Sequence, residues 1–288
     1  MALESIDRLM HDAGRGGYAV GYFESWNLDS LQGVIDAAEE TRAPIIIGFN
    51  GEFLSQRVGA TPEELPIYGT IGRAVAARAK VPCGFIFNEC SREPWLECAI
   101  TAGFNLIMPA DPGAAPGEYT RRVKRLASLA HSNGVAIEAE VEKTVGDEDE
   151  STDPQAAAKF VKATGVDLLA VHVGNDEIKL EGRGPLDLVR LESLHEQVRV
   201  PFVLHGGTGI ADDSLRAAIR LGVRKVNYGT YMKQRYLMAL RQALSSRDPN
   251  PHALLGDGGP ADVIVVGRNV IRNAVLERIE LLGCCGRA

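Results

Sequence analysis

Two short stretches place chemically capable groups where an apolar run stops. FVLHGGTGI (202–210) ends its hydrophobic segment on His205 and continues as a glycine-rich turn through Gly206, Gly207 and Thr208. GFIFNECS (84–91) has the same shape and presents Asn88 and Glu89. Taken alone, a histidine after a strand is ordinarily a hydrogen-bonded structural group. It becomes a candidate for function only if these segment ends meet in one place.

A second pattern concerns glycine. HGGTG follows one apolar run and NYGT (227–230) follows the next. Backbone N–H groups in such turns, with the hydroxyls of Thr208 and Thr230, can surround an oxyanion. Two successive barrel loops are a common place for that phosphate site. The plain alternative is that Gly206 and Gly207 only make a tight turn.

The elements that must position these groups follow from periodicity. Short apolar runs lie at YAVGYF (18–23), PIIIGF (44–49), CGFIFN (83–88), FNLIM (104–108), VAIEAE (135–140), DLLAVHV (167–173), PFVLH (201–205) and RKVNYG (224–229). Between them, segments such as LDSLQGVIDAAEETR and SLRAAIRLG repeat their apolar residues every three or four positions, the period of an amphipathic helix. Near-continuous apolar strands alternating with such helices demand a parallel sheet covered on both faces. About eight strand–helix units over this length predict a single α/β domain, 1–288, closed as a (β/α)8 TIM barrel. An open doubly wound sheet is the competitor, but YFESWNLD follows the first run where a Gly-x-Gly-x-x-Gly turn would be required.

In a barrel the residues after each strand converge on one face. Read in order they are Glu24, Asn50, Asn88 with Glu89, Asp111, Glu140 with Glu142, Asn175 with Glu177, His205, and Asn227 with Thr230. Polar residues are common in loops, yet eight strand ends carrying this chemistry describe one polar, acidic pocket.

Composition narrows the function classes. The 288 residues are 45% hydrophobic, enough for a large core and too apolar for disorder. The 31 basic and 38 acidic residues give a formal charge of -7. With no basic block or stripe, a nucleic-acid partner is not expected. The N-terminal stretch is acidic and lacks a long apolar core, so neither a signal peptide nor a membrane span is expected, and the location predicted is cytoplasmic. Five cysteines without Cys-x-x-Cys spacing read as reduced thiols, Cys284 and Cys285 included.

Several segments carry a resemblance. YAVGYFESWNLDSLQGVIDAAEETRAPIII, STDPQAAAKFVKATGVDLLAVHVG, VPFVLHGGTGIADDSLRAAIRLGVRKVNYGTYMK and RNVIRNAVLERIELLGCCG appear in this order. Together they resemble the class II fructose-bisphosphate and tagatose-bisphosphate aldolase family over almost the whole chain. The resemblance implies a divalent metal, zinc in most members, that polarises the carbonyl of a phosphorylated ketose and stabilises the enediolate formed on proton loss.

Position by position, the resemblance also implies changes. Of three histidine ligands in the family one survives, His205; the others become Glu89 and Glu177. Glutamate is itself a ligand, so the site reads as remodelled, and one imidazole with two carboxylates favours manganese, iron or magnesium relative to zinc. The opposing possibility is a pair of solvated acids in a metal-free site. The family's proton-transferring aspartate is Asn88, which can hydrogen-bond but cannot act as an acid at neutral pH. A second family aspartate falls at Ala110 unless Asp111 takes its place, and a serine becomes Asn50. Retained by resemblance are Glu148, at the carboxylate that shuttles the substrate proton, and Glu140, at an auxiliary cation site. The phosphate grip keeps Gly174, Gly207, Thr208, Asn227, Gly229 and Thr230, with Lys179 as a supporting charge.

The reading implied is a metal-dependent carbon–carbon lyase acting on a phosphorylated small molecule with a non-standard electrophile, assembled as a homodimer or homotetramer. An isomerase or epimerase using the same enediolate, or a non-catalytic barrel that binds sugar phosphate or supports a partner subunit, is the alternative.

Overall fold

The computed structural model describes residues 3–111, 114–115, 117–141, 151–175, 182–245 and 250–288. Eight parallel strands close a barrel in sequence order: β1 (Val20–Ser25), β2 (Ile45–Asn50), β3 (Cys83–Cys90), β4 (Leu106–Pro109), β5 (Ala136–Glu140), β6 (Leu168–Ala170), β7 (Phe202–Leu204) and β8 (Val223–Tyr228). Each strand lies within or beside one of the apolar runs, and β8 pairs with β1 through Gly21 opposite Val226. The expected (β/α)8 barrel is therefore the fold.

Local chemistry explains the connecting helices. The helix Leu28–Thr41 starts with Asn27 accepting from Ser30 N while Ser30 Oγ accepts from Asn27 N, a reciprocal cap that satisfies two free donors. It ends on Arg42 in the left-handed region, φ 49°. Outward strand residues Phe85 and Phe87 meet Phe104 and Trp95 under the helices, with Phe85 stacked on Phe104 at 4.1 Å between centroids.

The start of the barrel is closed by the helix Ile6–Gly16, which buries Ile6, Leu9, Met10 and Ala13. Glu4 N donates to Cys83 O at the first residue of β3. That end is plugged, which leaves the strand C-termini as the open face. There the inward positions are polar: Tyr22 and Glu24 on β1, Asn50 on β2, Asn88 on β3, Glu138 on β5, and Lys225 and Asn227 on β8. Among the described residues no helix is long and apolar enough to cross a membrane.

Candidate active site

A cavity of about 130 Å³ opens at the strand C-termini, lined by Asn50, Asn88, Glu89, His205, Gly206, Thr208, Asn227, Gly229 and Thr230. All nine are residues that the sequence singled out. Tyr22, Glu24, Phe53 and Lys233 complete the wall.

Neighbouring residues in a flat strand point to opposite faces, so Asn88 and Glu89 cannot both face the interior without a distortion. β3 supplies one. Its pairing to β4 shifts register between Phe87 and Cys90, and Glu89 has φ 51°. A non-glycine residue in the left-handed region costs about 1–2 kcal/mol. The distortion brings the Glu89 carboxylate beside the Asn88 amide, where Asn50 Nδ2 donates to Glu89 Oε2 at 2.8 Å.

His205 stands between two carboxylates. Its Nδ1 is 3.0 Å from Glu89 Oε1 and its Nε2 is 3.1 Å from Glu138 Oε1. Behind it, Lys225 Nζ reaches Glu138 Oε2 at 2.8 Å and donates to Asn227 Oδ1 at 2.7 Å. Glu138 and Lys225 are fully buried, so a chain of alternating charge runs from the pocket into the barrel. Burial alone would raise Glu138, but Lys225 and His205 outweigh it and hold the carboxyl below its usual range. Burial pulls Lys225 down in spite of the Glu138 and Glu89 carboxylates, while at 2.8 Å Lys225 and Glu138 each favour the charged form of the other, so the pair is ionised.

The same balance acts in the pocket. Burial would lower His205, but the hydrogen bonds its ring donates to Glu138 and Glu89, and their negative charges, lift it to about 10. Burial would raise Glu89, yet His205, Asn88 and Asn50 bring it to about 2. With the Nε2 hydrogen donated to Glu138, the Nδ1 lone pair faces the Glu89 carboxylate, and two such acceptors at 3.0 Å require a positive species between them. A proton meets the requirement. So does a divalent cation, since two adjacent ligands about 2.1 Å from one ion stand at about that separation.

The opposite wall is built from two glycine turns and a helix start. Gly206 adopts φ 63° and turns the chain into a short 3-10 segment, Gly207–Gly209. Gly229 opens the helix Thr230–Ala243, and a Cβ there would lie 2.4 Å from Glu24 Oε2. Thr230 and Lys233 occupy the first turn of that helix, whose free N–H groups and dipole favour an anion.

Three buried polar atoms in the wall have no partner: Tyr22 OH, Asn88 Oδ1 and Asn227 Nδ2. Buried polar groups rarely go unpaired unless something else binds them. Burial raises Tyr22 well above the ordinary phenol value, with Glu24, Glu89 and Glu138 adding to the effect, so its hydroxyl stays a donor. Burial also raises Glu24, in spite of the Lys233 ammonium 2.6 Å away.

Some expected residues are placed elsewhere. Glu140 lies near Tyr119 and does not line the pocket; the carboxylate engaging His205 is Glu138, one inward position earlier on β5. Gly174, φ 85°, and Gly207, packed against Tyr228 and Val226, support the loops without lining the cavity. Asp111 pairs with Arg122 and is not among the residues lining the cavity. Asn175 accepts from Val173 N and donates to His205 O, fixing the β7 loop. Glu142, Glu148, Glu177 and Lys179 lie outside the described residues. Among the described residues, no group of three or more His, Cys, Asp or Glu side chains is arranged to hold a metal ion.

The sequence reading missed Glu138, Lys225 and Lys233. Its signals were a charge in the middle of each of two apolar strands, and a lysine three residues after Thr230, at a helix start where cations are disfavoured.

The family model described as fructose-bisphosphate aldolase class-II matches residues 4–287. The chain belongs to this family. It is similar to the fructose-bisphosphate aldolase of Geobacillus stearothermophilus, 31% identical over 296 residues, covering 100% of this chain and 99% of the relative. The crystal structure of the YdjI aldolase from Escherichia coli K12 superposes with a TM-score of 0.83 at 30% identity, covering 99% of both chains. The fructose-bisphosphate aldolase structure from Campylobacter jejuni, with a TM-score of 0.83 at 20% identity and coverage of 100% and 97%, shares the fold. The family supports an aldolase-type lyase.

Proposed function

We propose that this aldolase-type barrel is a cation-dependent carbon–carbon lyase whose nucleophilic half is a phosphorylated ketose and whose electrophile differs from the standard triose phosphate. The observation that carries the reading is the opposition of His205 Nδ1 and Glu89 Oε1 at 3.0 Å, in a pocket where Tyr22, Asn88 and Asn227 leave polar atoms unpartnered. Glu89 and His205 would hold the cation, with Glu177 as the third donor, and the ion, when bound, supplies an electrophile for the ketose carbonyl. The hard donor set favours manganese, iron or magnesium beside zinc.

The chain's own residues do the rest. Glu138 fixes the orientation of the His205 ring, as outer carboxylates do for metal-binding histidines. The turn at Gly206 and Thr208, with Thr230 at the start of the next helix, takes the phosphate. Asn88 accepts a hydrogen bond from the hydroxyl on the far side of the bond to be broken, and does not take its proton. Glu148 is the proton carrier in this reading.

Chelator-treated protein offered manganese, iron(II), magnesium and zinc in turn should bind at least one, as read by calorimetry. With that ion it should exchange the α-proton of dihydroxyacetone phosphate in deuterated water. Glu89→Ala should weaken ion binding by more than the roughly 10- to 100-fold that loss of a supporting hydrogen bond costs. Ion binding without exchange would return the protein to the non-catalytic alternative.

A further inference from the structure

Beside the polar pocket lies a second cavity, of about 350 Å³, and Glu24, Asn50, Phe53 and Lys233 line both. Its own walls are different in kind: Trp26, Phe49, Leu54 and Tyr68. Phe49 and Tyr68 meet edge to face at 5.1 Å. Phe53 stands between the two cavities, 57% exposed, with the Lys233 ammonium 3.9 Å above its ring.

The charges on this wall are already matched. Lys233 is paired with Glu24 at 2.6 Å, and Arg57 with Glu64 at 2.8 Å while its guanidinium lies over the Tyr68 ring. Asn50 is also engaged, donating to Glu89 and accepting from Phe53 N. The lining residue that keeps an unpartnered buried polar atom is Ser25, through Oγ. One hydroxyl can recognise one oxygen. It cannot replace the several donors that a phosphate or a polyhydroxy chain requires.

Resting on the reading above, we infer that the electrophile is an aldehyde with an uncharged, apolar substituent, which seats in this aromatic cavity while its carbonyl reaches the polar pocket. The volume suffices, because an apolar cavity of about 150 Å³ already holds a benzene ring. The site thereby separates a charged donor half from an apolar acceptor half.

The test uses the intact protein loaded with its activating cation and dihydroxyacetone phosphate as donor. Acceptors are 3-phenylpropanal and glyceraldehyde 3-phosphate, with donor proton exchange read in the same samples. The phenyl aldehyde should have the higher kcat/KM, by about tenfold or more, the scale on which apolar pockets discriminate. Tyr68→Gln should erase that preference by a factor exceeding any change in donor exchange, and Leu54→Gln serves if the first variant does not fold. Exchange with a preference for the phosphorylated aldehyde overturns the inference, as does a preference that survives both substitutions. Absence of exchange with any cation would defeat the lyase reading. The cavity is then judged by 3-phenylpropanol: saturable quenching of Trp26 fluorescence, lost in Tyr68→Gln, supports an apolar subsite, and no binding overturns it. A change of oligomeric state in place of a change in ligand binding also overturns it, since the cavity would then be an interface between copies.

Discussion

Replacing Lys225 with methionine removes the ammonium that neutralises Glu138 inside the barrel. The two groups are 2.8 Å apart and both fully buried. At an effective dielectric of about 20, unit charges at that distance attract by about 6 kcal/mol. Part of this is returned, because methionine is cheaper to bury than an ammonium and His205 still faces Glu138 at 3.1 Å. Removal of one member of a buried pair leaves an uncompensated charge and costs about 3–5 kcal/mol. With a urea slope of about 3 kcal/mol per M, the unfolding midpoint of Lys225→Met should fall by about 1–1.7 M. The double variant Lys225→Met/Glu138→Gln should be more stable than Lys225→Met, since it removes the stranded charge while the amide can still bond to His205. Equilibrium urea unfolding followed by circular dichroism measures four proteins: the wild type, Lys225→Met, Glu138→Gln and the double variant. A midpoint shift under about 0.3 M for Lys225→Met, or a double variant as unstable as the sum of its singles, would refute the reasoning.

Burial pushes the Cys83 and Cys284 thiols up to about 12 and Cys90 to about 11. The unfolded chain therefore releases these protons first, and stability should be intact below about pH 8.5 and decline as pH rises toward 11, by about 1.4 kcal/mol per pH unit for each thiol. Stability curves from pH 7 to 10.5 check this, and a Cys83→Ala variant should show a shallower decline. Gly229→Ala would drive a methyl to 2.4 Å from Glu24 Oε2, displacing the Glu24–Lys233 pair; about 1–3 kcal/mol of stability and most phosphate binding should be lost, as read by thermal melting and phosphate competition. Arg42 occupies a left-handed helix end at φ 49°, so Arg42→Gly should stabilise by about 0.5–1 kcal/mol and raise Tm by about 2 °C in calorimetry.

The barrel was legible because each strand must be apolar on both faces and each helix on one, and those periods are local. The polar residue ending a strand is equally local, so Asn50, Asn88, Glu89, His205 and Asn227 belong to one face on sequence alone. Which of them touch was another matter. Glu138 and Glu140 have the same parity on one strand, and nothing in AIEAE says which reaches His205. The answer depends on the stagger of eight strands around the closure, a property of the whole sheet. Nor does GFIFNECS announce that Glu89 takes a left-handed conformation, because glutamate has no local preference for it.

The sequence by itself determined the alternation of strands and helices, the glycine turns that follow two of the strands, and the polar character of one barrel mouth. Tertiary structure alone decided the Glu89–His205–Glu138–Lys225 chain and the aromatic cavity beside it, whose members come from separate elements of the barrel. Periodicity is set by neighbours in sequence, while charge pairing and cavity shape are set by where closure brings distant strand ends together.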